Sequence, residues 1–276
     1  MTARTRERPG TASRPPHAFT RRLAAAGLPA APPAADPVTE ADLTGLPSAV
    51  GRYLRAMGVV GRPRTWSLQA HLAGRFRLGA GGRWMPCDAW QYNTAEQVTR
   101  LYRMRLLLAG AVPMWGWDTY RSGEGRMLGR ALGLITVAEG SGPRFDEGEL
   151  VTWLADAVLL APAMLLSPRT LWEGRGHGFE VSVTDAGRTV CARVLLDDEG
   201  RPRELRTEDR WADLPGGPVR APWTTTVDGW TLVEGRPRMT GGAASWQLPE
   251  GELRYAEMRL LRLDLDVPPT RSAPTR

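Results

Sequence analysis

Between Thr65 and Leu78 the chain alternates: Trp66, Leu68, Ala70, Leu72, Gly74, Phe76 and Leu78 interleave with Thr65, Ser67, Gln69, His71, Ala73, Arg75 and Arg77. Successive side chains of a strand point to opposite faces, so a period of two over this length predicts one long strand with a single buried face. GAGG at 79–82 supplies turn residues, and RWMPCDAWQYN returns as a second strand. Further strands are expected at 97–108, 111–122, 130–138, 178–184, 188–197, 202–211, 223–233, 236–247 and 252–266, with DDEG at 197–200 as a hairpin turn. Neighbours joined this tightly pair antiparallel, because a parallel crossover needs about a dozen residues or more.

Two stretches break the rhythm. LPSAVGRYLRAMG, residues 46–58, places Leu46, Val50, Tyr53, Leu54 and Met57 at helical spacing. FDEGELVTWLADAVLLAPAMLLS, residues 145–167, starts with acids where a helix dipole favours them and carries an apolar stripe from Leu150 to Ala161 before Pro162 kinks it. The predicted fold is therefore mainly β (α+β): a strongly curved antiparallel sheet or half-open barrel of about ten strands, with a kinked helix covering its mouth and a short N-terminal helix before it. The domain is expected to span 45–267, with an Arg/Pro/Ala-rich disordered tail at 1–44 and another tail at 268–276.

The charge is unevenly placed. Of a net +6, residues 1–22 supply +5 through Arg4, Arg6, Arg8, Arg14, Arg21 and Arg22 against Glu7. The rest is near neutral, which argues against a nucleic-acid partner despite the basic total. The paired Arg21 and Arg22 precede an Ala/Pro run too poor in Leu, Ile and Val for a signal core, so a cytoplasmic location is expected. AVLLAPAMLLS at 157–167 is too short, and too interrupted by Pro162, for a transmembrane segment. Cys87 and Cys191 read as two thiols rather than a disulfide framework, and the isolated His17, His71 and His177 show no metal-ligand spacing. No cofactor motif is recognised: GEG at 123–125 reads as a turn rather than a phosphate cradle, and EGSGP at 139–143 lacks the order of a nucleophile elbow.

Asp118 is the most reactive-looking residue. By strand parity it lies with Met114, Gly116 and Tyr120, opposite to Trp115 and Trp117, and either set can face a cavity. Facing inward, Asp118 would be desolvated and its pKa raised, the state of a usable acid or base; alternatively it pairs with an arginine of a neighbouring strand. Tyr120 and Asp88 are the accompanying acid/base candidates, and Asp156 is placed to face Arg103 or Arg105. Eleven tryptophans can fill a wide barrel or floor a ligand cavity; Trp66, Trp84, Trp90, Trp153 and Trp246, with Met114, Asp118 and Tyr120, are the ligand-binding candidates.

LPSAVGRYL, GRWMPCDAWQ, WGWDTYRSGEGRM, GELVTWLADAVLLAPAMLL, LLDDEGRPRELRTEDR and EGRPRMTGGAASWQLPEGELRY occur in an order that resembles a family of uncharacterised bacterial proteins common in actinobacteria, over about residues 45–266. More remotely the chain is similar to the open barrels of LolA-like lipoprotein carriers, where a curved sheet and a plugging helix enclose an apolar cavity. That resemblance implies architecture and no established reaction. The expected function is binding of an apolar or amphipathic, lipid-like small molecule inside the sheet. Two alternatives remain open: a cofactor-free isomerase or cyclase using a cavity carboxylate, and a structural or interaction domain with a basic tail.

Overall fold

The computed structural model describes residues 14–32, 36–108, 110–214 and 216–269. Two short helices come first, α1 (His17–Ala25) and α2 (Ser48–Ala56). The chain then walks outward through β1 (Ser67–Phe76), β2 (Met85–Thr94), β3 (Thr99–Leu108), β4 (Val112–Arg121), β5 (Glu124–Ala131) and β6 (Ile135–Ser141). A long helix, α3 (Pro143–Leu160), and a 3-10 turn at Pro162–Leu165 carry it to the opposite edge. It returns through β7 (Thr170–Arg175), β8 (Gly178–Asp185), β9 (Arg188–Leu196) and β10 (Pro202–Thr207). A separate small hairpin follows, β11 (Trp211–Leu214) with β12 (Gly217–Arg220), before β13 (Trp223–Val233), β14 (Arg236–Leu248) and β15 (Gly251–Leu265).

The order β6-β5-β4-β3-β2-β1-β15-β14-β13-β10-β9-β8-β7 makes a single antiparallel sheet of 13 strands. The first and last strands of the chain pair at its centre, Leu68 opposite Leu265 through Phe76 opposite Ala256. The sheet is open: β6 and β7 are its edges, and α3, the one long connection, spans the hollow between them. A sheet this wide curls under its own strand twist, and the hollow is the place where a largely apolar helix can lose its water.

On α3, Leu150, Val151, Trp153, Leu154, Ala157 and Val158 are buried, as is the turn that follows. The helix is apolar on nearly all sides, the pattern of a fully enclosed helix rather than of one lying on a surface. The expected single helix at 145–167 thus ends at Leu160, because Pro162 cannot donate to the α-helical ladder. α2 locks against it: the Tyr53 hydroxyl donates to the Val158 carbonyl at 2.7 Å, and the Tyr53 ring packs on Phe179.

Three expectations are corrected. The stretch 1–44 is not wholly a tail: α1 lies against the convex face, burying Phe19 and Leu23 on Trp90, Tyr92 and Leu101, and Arg22 stacks over Trp117 at 4.6 Å. Two apolar side chains four apart suffice because the sheet supplies the partner surface, which composition does not reveal. Residues 1–13, with Arg4, Arg6 and Arg8, and residues 33–35 and 270–276 lie outside the described residues. The strand expected at 130–138 is the junction of β5 and β6, turned at Leu132 and Gly133, both with positive φ. The strand expected at 202–211 ends at Thr207, and β7 and β12 were not foreseen, being short and lacking clear alternation.

In GEG at 123–125, Gly123 sits at φ 82 in the two-residue turn joining β4 to β5. Gly125 has another reason to be glycine: a Cβ there would collide with the Phe145 carbonyl, where α3 starts against β5.

The convex-face cluster depends on α1. Leu23→Ala is expected to lower unfolding free energy by about 2–4 kcal/mol, measured by urea denaturation.

Candidate functional site

The register of the outward strands writes a gradient across the concave face. One row aligns Cys87, Leu106 and Met114; the next aligns Ala89, Met104 and Gly116. Then come Gln91, Tyr102 and Asp118, and finally Asn93, Arg100 and Tyr120. Moving two residues along each strand keeps the face and changes the chemistry, so a hollow that is apolar at one end becomes polar and then charged at the other.

Between this face and α3 lies a cavity of about 490 Å³. Met104, Leu106, Met114, Met127, Met239 and Met258 line it together with Leu72 and Phe76. Trp223, Trp246 and Tyr255 form an aromatic wall, in which Trp223 Nε1 donates to the Tyr255 hydroxyl at 2.9 Å and Trp246 stacks on Tyr255 at 6.3 Å between centroids. Five of the nine methionines are in this lining, and their unbranched, polarizable side chains can repack around a flexible guest.

At the charged end Arg100 is the organising cation. Its Nη1 donates to Glu149 Oε2 and its Nε to Asp156 Oδ2, both at 2.9 Å, with side-chain exposures of 5% for Arg100, 9% for Glu149 and 16% for Asp156. Asn93 Nδ2 adds a second donor to Asp156 Oδ2 at 3.0 Å. Burial works against the Arg100 charge, but Asp156 and Glu149 outweigh it and push its pKa up. Tyr102, beneath the Arg100 guanidinium at 4.7 Å, is held un-ionised by burial.

Asp118 stands one row closer to the apolar end. Burial, with Glu149 adding repulsion, raises its pKa to about 7 against the pull of Arg100 and Arg210. It is a carboxyl held protonated toward neutrality, at the boundary between the apolar and the charged parts of the lining. Arg210 faces the same cavity, its guanidinium over Trp223 at 4.6 Å and Trp246 at 5.4 Å.

A larger cleft of about 660 Å³ lies elsewhere, lined by Arg62, Arg236, Arg238, Arg262, Asp264 and their neighbours. Several of its arginines are already engaged: Arg262 with Asp264 at 2.7 Å, Arg238 with the Leu263 carbonyl at 2.8 Å, and Arg62 with the Gly235 carbonyl at 3.3 Å. Its lining lacks the apolar gradient. Among the described residues no group of three His, Cys, Asp or Glu side chains is arranged to hold a metal ion, and Cys87 and Cys191 are free thiols.

Residues 36–258 match a family described as "Family of unknown function (DUF6544)". The chain belongs to the DUF6544 family. No protein of curated function matches this DUF6544 chain. Three solved structures are similar in fold. A putative outer membrane lipoprotein-sorting protein domain from Vibrio parahaemolyticus is 13% identical over 72% of this chain and 85% of its own, with a TM-score of 0.40. A LolA superfamily protein from Nitrosomonas europaea is 9% identical over 80% and 93%, with a TM-score of 0.39. A DUF1329 family protein from Desulfovibrio piger is 10% identical over 80% and 92%, with a TM-score of 0.44. No helix among the described residues of this family member is long and apolar enough to cross a membrane.

Of the residues singled out in the sequence, Met114, Asp118 and Trp246 are together in the cavity lining. The others lie apart from it. Tyr120 is buried below the cavity with its hydroxyl on Asp185 at 2.8 Å. Asp88 is on the convex face, 2.7 Å from His71 Nε2, and Trp90 stacks on His71 there. The guanidinium groups of Arg75 and Arg77 lie over the Trp84 ring, at 4.6 and 4.8 Å. Trp66 is buried ahead of β1, where its backbone N–H donates to Asp266 at 3.0 Å. Trp153 is buried on α3 and donates to the Thr94 carbonyl at 3.0 Å. Asp156 faces Arg100, not Arg103 or Arg105, because those two have the opposite strand parity and point to the convex side. Arg100, Tyr102, Glu149, Arg210, Trp223 and Tyr255 were not singled out. Strand parity between Arg100 and Leu106 is the signal that finds the first two.

Two outcomes follow. Arg100→Met strands Glu149 and Asp156 as buried like charges and is expected to destabilise by about 3–5 kcal/mol; adding Glu149→Gln and Asp156→Asn recovers part of that loss in urea titrations. Asp118 in the fold keeps its proton from its ordinary value of 3.8 up to about 7, whereas the unfolded chain has released it. Its contribution to stability therefore declines as pH rises through that window. Asp118→Asn is expected to gain stability relative to wild type by about 1 kcal/mol or more between pH 4 and 7, read from paired unfolding curves at each pH.

Proposed function

We propose that this protein binds an apolar or amphipathic, lipid-like small molecule between the curved sheet and α3. The observation that carries this reading is the 490 Å³ cavity whose lining passes from methionine, leucine and aromatic side chains to a charged end. A volume in the ordinary range of ligand sites, mostly apolar with a few convergent polar groups, supports a guest that leaves water for the wall. The gradient supports one that is itself amphipathic.

A second reading has one observation in its favour. Asp118, poised near neutrality beside an apolar space, has the chemistry of a general acid or base in a cofactor-free isomerase or cyclase. Tyr120 and Asp88 do not accompany it, so that reading rests on Asp118 with Tyr102 as its neighbour on β3. Asp118→Asn turnover distinguishes the two, since a carrier needs no proton transfer.

The binding reading is tested at Gly116, which lies between Met114 and Asp118 in the lining. A Cβ added there would meet the Met104 side chain at 3.6 Å, an ordinary contact, so a larger residue grows into the cavity without breaking the strand. Gly116→Leu is expected to weaken saturable uptake of dodecanol by about tenfold or more while the thermal midpoint holds. Native mass spectrometry of protein purified without detergent is expected to show a retained apolar molecule. Absence of both a retained molecule and saturable uptake overturns the reading.

A further inference from the structure

Two charged groups, Asp118 and Arg210, feel each other's charge across this cavity but have no hydrogen-bonded partner. Among the described residues neither Asp118 nor Arg210 makes a side-chain hydrogen bond or ion pair, and Arg210 Nε is buried with no acceptor. The other charges of the lining are engaged: Arg100 by Glu149 and Asp156, Arg144 by Asp213 at 3.9 Å, and Arg77 by the Arg254 carbonyl at 2.6 Å. Gln91, 2% exposed and on the row of Tyr102 and Asp118, also has its Nε2 donor unsatisfied while lining the same space.

The two unpaired groups are not equivalent when a guest displaces water. A carboxyl can take up a proton and become neutral, but a guanidinium in a protein stays charged. Once the cavity is filled by an apolar body, Arg210 is the charge left uncompensated. Stacking on Trp223 and Trp246 eases its desolvation but supplies no acceptor for its N–H groups. The missing partner is an acceptor brought by the guest.

Resting on the binding reading above, we infer that the occupant is a singly charged carboxylate amphiphile, its head on Arg210 beside Asp118 and its tail along Met104, Met114 and Leu106. A carboxylate matches the guanidinium fork. One negative charge is what the site accepts, because Asp118, Glu149 and Asp156 stand nearby and repel a second. A protonated Asp118 becomes an O–H donor to the same head, and Gln91 offers another N–H donor on that row.

The test compares dodecanoate, dodecanol and dodecylamine on the full chain near pH 7, read by intrinsic fluorescence, since Trp223 and Trp246 flank the head position. Dodecanoate is expected to bind at least about tenfold tighter than dodecanol. Arg210→Met is expected to remove that preference and leave dodecanol binding within about twofold, and Arg210→Lys, which keeps the charge without the fork, to retain part of it. Equal binding of dodecanoate and dodecanol by wild type, or tighter binding of dodecylamine, overturns the head assignment and leaves the apolar cavity standing. Failure of all three probes to bind overturns the underlying reading instead. The wild-type comparison decides the matter even if Arg210→Met does not fold.

Discussion

A helix that turns two of its carboxylates, Glu149 and Asp156, into the hollow of a sheet can be held there only if something neutralises them. The Arg100 guanidinium does so, taking Glu149 and Asp156 on two of its nitrogens, with Asn93 completing Asp156. Buried ion pairs of this kind gain little over an apolar contact, but removing one member leaves an expensive charge behind. Arg100 therefore sets where α3 sits: one depth and one rotation of the helix bring both acids within reach. Tyr53 on the Val158 carbonyl, Trp153 on the Thr94 carbonyl and Gly125 under Phe145 fix the same placement from other sides.

With α3 held at the charged end, the remaining hollow cannot be filled by the helix. The strands continue past it into apolar residues, and the space between becomes a cavity with a built-in direction. The same placement gives Asp118 its unusual ionisation: one row away from Arg100, near enough to Glu149 to be repelled, and set in a lining rich in methionine and aromatic side chains. Arg210, arriving on the segment before the β11–β12 hairpin, meets this end from the opposite wall. A site of mixed character thus arises from one buried ion network and one direction of strand travel.

Much of the fold is legible in the chain because strands reveal themselves locally. The alternation from Trp66 to Phe76 needs no knowledge of partners, and short connections force antiparallel neighbours. Helix α1 was missed for the complementary reason: its two buried residues, Phe19 and Leu23, sit in an Arg- and Ala-rich stretch, and only the Trp90–Tyr92–Leu101–Trp117 patch makes them worth burying. The site was half legible. Parity placed Asp118 with Met114 correctly but left the inward face open, since Trp115 and Trp117 are equally apolar in appearance. It is α1, covering Trp117 from outside, that makes theirs the convex side. Tryptophan count misled in the same way, because most of these rings seal cores, stack on arginines or cap strand ends rather than line the cavity.

By itself, the sequence determined that the chain is a wide antiparallel sheet interrupted by one apolar helix, because side-chain period and turn spacing are properties of neighbouring residues. Which acid meets which arginine, which face is hollow, and which charges are left without a hydrogen-bonded partner were decided by tertiary structure alone. Those facts depend on residues dozens of positions apart being brought to one place, and on how much water the packing around them excludes.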